Sequence, residues 1–165
     1  MKTKQQLTKN IRRWIAFFMV ALLVSGITAF PLQSELEVLG RFVHLMPAGI
    51  GNFINSVREA VTFINAHYPF LAYGTDWLAF AHIVIAIAFY GPYQNPVKNV
   101  WVIEFGMISC LLVLPLAFIC GAIRSIPFYW QLIDCSFGII GILPLWHVHK
   151  QIKKLENLNT TLNPQ

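Results

Sequence analysis

Four ionisable residues fall inside long apolar stretches of this chain: Asp76, His82, Glu104 and Asp134. A charge at the centre of a bilayer costs at least about 2.5–3.5 kcal/mol on insertion scales, so such groups face protein or water and mark function by default. Asp76 and Asp134 each lie six residues from the same end of their stretch. At a rise of ~1.5 Å per residue, both would sit roughly 9 Å below one membrane boundary. Side by side they would share a proton; with Arg124 folded inward between them, both would stay ionised. The sequence leaves both arrangements open. Tyr73 precedes Asp76 by three residues, and Trp130 and Gln131 precede Asp134 by four and three, so each stands on the face of its aspartate. Gly138 and Gly141 continue the Asp134 face, where small residues let another helix approach closely. Asp76, Asp134, Arg124, Tyr73, Trp77, Trp130 and Gln131 therefore form a candidate outward-facing polar cavity.

His82 and Glu104 extend that chemistry toward the other boundary. His82 is six positions after Asp76, about 240° around a helix, so the two cannot share a narrow face. His82 fits either a bond to a backbone carbonyl or a neighbouring helix, or a functional role. Glu104 fits a carboxylate reaching the interface beside Lys98, or, as the sharper reading, one end of a proton relay through His82. Metal binding is not expected. His147 and His149 are two positions apart and no three-ligand cluster is evident. Phosphate-binding glycine loops and the serine elbow are absent, and no cofactor is implied.

These residues need apolar helices to hold them. Apolar runs long enough to span a bilayer cover about 14–32, 70–90, 100–121 and 128–146. Pro115 falls inside the third, and the Gly91–Pro96 stretch reads as a tight polar turn. Between the first two runs, residues 33–69 form the longest other segment. There Ile50, Phe53, Ile54, Val57, Val61 and Ile64 recur at helical spacing opposite Asn52, Asn55, Ser56, Arg58 and Glu59. This predicts an amphipathic helix lying on the membrane surface or capping the bundle. Pro47 and Gly49 separate it from a shorter helical piece around 35–46. The expected fold is all-α: one membrane domain, 1–165, built as a four-helix bundle with an extra amphipathic interfacial helix.

Composition agrees. The chain is 56% hydrophobic and 12% charged over 165 residues, too apolar for a small soluble domain with its high surface-to-volume ratio. Its net charge of +5 reads as topology. Nine Lys and Arg fall in the N-tail, at Lys98 and in the C-tail, against Arg41, Arg58 and Arg124 on the other side. That bias places both termini in the cytoplasm and residues 33–69 outside. The basic N-tail before an apolar run could also open a secretory signal, but the run is long and Ile27 is a poor cleavage neighbour, so a retained anchor is expected. No basic face for nucleic acid is visible. Cys110, Cys120 and Cys135 lie in apolar runs without a C-x-x-C pair, so buried small hydrophobes are expected rather than disulfides.

Three stretches carry a resemblance as a set: DWLAFAH from Asp76, NVWVIEFG from Asn99, and RSIPFYWQLIDCSFG from Arg124. Together they resemble small bacterial multi-pass inner-membrane proteins of unassigned function. The resemblance implies a bacterial inner (plasma) membrane and transfers no catalytic residue. Three functions fit the residues. One is a binder of a small ligand, lipid or partner protein through the outward cavity. Another is a membrane-embedded enzyme acting on a lipid or isoprenoid, with the aspartates as acid and base. The third is a proton-coupled carrier using Asp76, His82 and Glu104. Membrane lipids are the expected surroundings, with a homo-oligomer or a membrane partner as the expected contact.

Overall fold

The computed structural model describes residues 3–162, with side chains to residue 159. Lys2, counted above in the basic N-tail, lies outside them. Seven helices follow in chain order: α1 (Lys4–Ala29), α2 (Leu32–Gly40), α3 (Ala48–His67), α4 (Tyr73–Ala88), α5 (Tyr90–Gln94), α6 (Val100–Ile123) and α7 (Phe128–Leu162). Short 3-10 turns occupy Val43–Leu45 and Pro69–Ala72, and no strand occurs among the described residues.

Four helical stretches are long and apolar enough to cross a membrane: Lys4–Ala29, Pro69–Gln94, Val100–Ile123 and Phe128–Asn159. Their most apolar windows are only 11–22% buried, and Phe17, Val24, Ile108, Leu116, Ile119, Phe137 and Ile140 all stand exposed. Water would not tolerate so much uncovered hydrocarbon, whereas lipid does, and helices satisfy their own backbone groups there. The fold is that of an all-α, multi-pass membrane protein.

The chain divides into two compact units. The first comprises 1–20 and 87–165, and its core is the best packed part of the chain. Leu7, Ile11 and Ile15 on α1, and Leu145, Val148, Ile152 and Leu155 on α7, are at most 4% exposed. Both series run at three- and four-residue spacing, the stripe by which helices pack. Phe89, Pro92, Val102 and Ile103 complete this core, and Gly106 admits Phe89 and Leu145 against α6. At 35 residues, α7 is about 52 Å long, well beyond a hydrocarbon layer of about 30 Å. Its basic last part is therefore a packed helix and not a loose tail.

The α6–α7 hairpin is closed by local chemistry. Ile126 N–H donates to Gly121 O at 2.9 Å and Ser125 N–H to Ala122 O at 3.2 Å. This helix-ending pattern uses one left-handed residue, usually glycine; here it is Ser125, with φ 55°. Further along, Gly138 lies so close to α6 that a Cβ would meet Cys110 O at 2.5 Å. The expected polar turn at 91–96 is more ordered than its composition implied. α5 forms there, Asn99 donates to Gly91 O and Asn95 O at 3.1 and 3.0 Å, and Arg12 donates to Tyr93 O and Gln94 O.

The second unit comprises Ala21–Ala86. Gly26 on α1 lets α4 approach, since a Cβ there would meet Ala79 O at 2.8 Å. α2 and α3 form a helical hairpin. Ile54 is buried at its centre, Gly51 packs against Val43, and Asn65 donates to Gln33 Oε1 at 2.7 Å.

Candidate functional site

Asp76 sits half-buried in the first turn of α4, where a carboxylate is favoured by the partial positive charge of a helix start. Tyr73 and Trp77 flank it, edge to face at 5.9 Å, and both are exposed. These residues belong to the second unit. Asp134, Arg124, Trp130 and Gln131 belong to the first. Asp134 is half-buried on α7. Gln131 is buried and builds the hairpin: its amide donates to Ile126 O at 2.8 Å and packs on Gly121. Arg124 caps α6 through its backbone N–H, bonded to Cys120 O, and its side chain is exposed. No hydrogen bond or ion pair joins Asp76 or Asp134 to another described residue.

The two relay candidates have other partners. His82 Nδ1 lies 2.8 Å from Leu78 O, one turn back on its own helix. Glu104 faces His149 on α7, with Oε1 and Nε2 3.0 Å apart. The contact is an ion pair when the imidazole is protonated. The sequence expectation put Lys98 beside Glu104. The Lys98 backbone N–H donates to Asn95 Oδ1 at 3.2 Å, and no Lys98–Glu104 ion pair occurs among the described residues.

A second polar cluster runs through the first unit's core. Asn10 Nδ2 donates to Gln151 Oε1 at 3.0 Å, the Gln151 amide reaches His147 Nε2, and the Trp14 ring stands edge-on to His147 at 5.6 Å. Gln151 is 9% exposed. A buried amide is costly unless bonded, and here both of its ends are. No group of three or more His, Cys, Asp or Glu able to hold a metal occurs among the described residues.

A concavity lies on the α2–α3 hairpin. It is a cleft of about 540 Å³ lined by Glu37, Arg58, Glu59, Thr62, Phe63, Ala66 and His67. α2 supplies Glu37, and the rest recur every three or four residues along one face of α3. Phe63 and Ala66 supply its apolar lining, with the Phe63 ring stacked on His67 at 4.2 Å. Charges form the rim: Arg58 lies across Gly40 of α2, and Glu37 accepts from Gln33 Nε2. Arg58 and Glu59 form no ion pair among the described residues. The cleft thus offers an apolar bed edged by one cation, two carboxylates and an imidazole.

Compared with known proteins, the chain matches no protein family, no curated protein and no solved structure.

Pattern reading missed three features. The spacing of His149 suggests nothing beyond a weak metal pairing with His147; its partner lies 45 residues away on another helix, which spacing along one helix cannot reveal. Gln151 and Asn10 sit in basic tails whose Lys and Arg count toward topology. The signal for them was present in Leu145, Val148, Ile152 and Leu155, whose spacing continues a packed helix through the tail. The α2–α3 cleft needed the pairing of two helices, although the amphipathic period of α3 marked one of its walls.

Proposed function

We propose that this chain is a bacterial inner-membrane binding protein whose recognition surface is the α2–α3 hairpin on the outer side, with both termini cytoplasmic. The bound molecule is an amphiphile, a lipid with an apolar body and a polar end. One observation carries this reading: the cleft of about 540 Å³ is lined by apolar Phe63 and Ala66 together with charged Arg58, Glu59 and Glu37. A small-molecule site is typically a concavity of about 300–1,000 Å³, mostly apolar with a few placed polar groups. Exposed Val38, Phe42, Leu45 and Phe63 on the same hairpin suit a segment lying in the headgroup layer, where lipids are at hand.

The test uses single cysteines in a chain whose Cys110, Cys120 and Cys135 are changed to Ala. Ser56→Cys, exposed on α3 away from the cleft, should react with an impermeant maleimide in intact cells. Thr62→Cys, within the cleft, should react slowly until lipid is stripped from the purified protein. Reaction of Ser56→Cys only after lysis, or equal rates at Thr62→Cys before and after stripping, would reject the reading.

A second reading, lipid chemistry by an enzyme, is favoured by the Glu104–His149 contact. A carboxylate that orients an imidazole is a common general-base arrangement. It predicts conversion of a lipid extract to a new mass by the purified protein, abolished by His149→Ala.

A further inference from the structure

The cations at the ends of α1 and α7 differ in how they are used. Arg12 donates to Tyr93 O at 3.0 Å and Gln94 O at 3.1 Å and lies over the Tyr93 ring. Lys150 sits 3.6 Å above the Trp146 ring, and Lys153 pairs with Glu156 at 3.3 Å. Lys9 and Arg13 make no such contact among the described residues. Together with Gln6 and Asn10 they line a separate cleft of about 330 Å³. We propose that this cleft binds the phosphate of an anionic phospholipid headgroup.

The geometry behind this is a four-residue repeat. Lys9 and Arg13, like Gln6 and Asn10, stand one turn apart, about 6 Å along the axis. That separation lets an ammonium and a guanidinium contact one phosphodiester, the arginine through two parallel N–H groups. Gln6 Oε1 accepts from Thr3 N–H at 3.1 Å, leaving its amide hydrogens for a ligand. Asn10 donates to Gln151, leaving its oxygen to accept from a headgroup hydroxyl. The bed is fixed from behind. Leu7, Ile11 and Ile15 are buried and set the rotation of α1, while buried Gln151 holds Asn10 in place. The cleft ends at Arg13, immediately before Trp14 and the apolar run. This is headgroup depth, because tryptophan at a span's edge marks the interface. A lipid phosphate is therefore the ligand, and a soluble anion is the competing outcome.

The test is native mass spectrometry of the full chain in detergent. It is titrated with phosphatidylglycerol, with phosphatidylcholine of the same acyl chains, and with inorganic phosphate. Lys9→Gln/Arg13→Gln is compared with Lys4→Gln/Lys154→Gln, which removes the same net charge outside the cleft. The wild type should prefer phosphatidylglycerol. The cleft pair should lose about 25-fold in affinity, the product of about fivefold per cation, and the control pair much less. Should the double variant misfold, Lys9→Gln alone should lose about fivefold. Equal losses in both pairs, equal binding of the two lipids, or displacement of phosphatidylglycerol by millimolar phosphate would overturn the proposal.

Discussion

His149 Nε2 lies 3.0 Å from Glu104 Oε1, joining α7 to α6 across 45 residues of sequence. The Glu104 side chain is 47% exposed; where it reaches the aqueous interface the pair is screened. Exposed ion pairs typically contribute about 0.2–1 kcal/mol. A double-mutant cycle of Glu104→Gln and His149→Ala, read from unfolding midpoints in detergent, should give a coupling below about 1 kcal/mol. A coupling several times larger would mean that the pair is dehydrated by lipid and holds α6 to α7.

Gln151 should matter more than the charged pair. Gln151→Leu removes the acceptor for Asn10 and the partner of His147 inside a packed core. Leaving such polar groups unsatisfied costs about 1–3 kcal/mol. The unfolding midpoint should fall accordingly, and Trp14 fluorescence should change because its ring contacts His147. An unchanged midpoint would show that water replaces the lost bonds.

Two glycines should respond in opposite ways to alanine. A Cβ on Gly138 would meet the backbone oxygen of Cys110 at 2.5 Å, and backbone cannot swing aside; a Cβ on Gly74 meets nothing within 4 Å. Gly138→Ala should destabilise by about 1–3 kcal/mol through overpacking. Gly74→Ala should be neutral or stabilise by up to about 1 kcal/mol through helix propensity. Thermal unfolding of the two variants side by side decides it, and equal shifts would contradict the α6–α7 geometry.

Ser125 holds a left-handed conformation, φ 55°, that costs an L-residue roughly 1–2 kcal/mol and glycine little. Ser125→Gly should therefore raise stability by about 1 kcal/mol, offset in part by the greater freedom of unfolded glycine. A lower midpoint would indicate that the serine hydroxyl has a role in the turn.

Much of the fold was legible because lipid imposes a simple rule: an apolar run of about twenty residues must be a helix. That rule found the four apolar stretches and says little about their ends. α1 begins at Lys4 and α7 reaches Leu162, with Leu7, Ile11, Val148, Ile152 and Leu155 buried along them, and charged neighbours mask that stripe. The site was less legible. Asp76 and Asp134 stood out by type, yet burial cost says only that a carboxylate needs a polar or wet neighbour, not which residue supplies it. Gln131 stands three residues before Asp134 in the sequence, and its amide closes the turn at Ile126. The α2–α3 cleft arises from two helices meeting, a relation that one helix's periodicity cannot express.

An amphiphile held in the α2–α3 cleft should survive purification of the protein. The direct measurement is the molar ratio of lipid to protein, by mass spectrometry of a solvent extract after size-exclusion purification in a mild detergent. The predicted result is one retained lipid species near equimolar ratio, lost in Phe63→Ala and Arg58→Gln and kept in Leu45→Ala, an exposed residue of the same hairpin outside the cleft. Asp76→Asn and Asp134→Asn should leave it in place. A bare protein, or a retained lipid unmoved by Phe63→Ala and Arg58→Gln, would contradict the account.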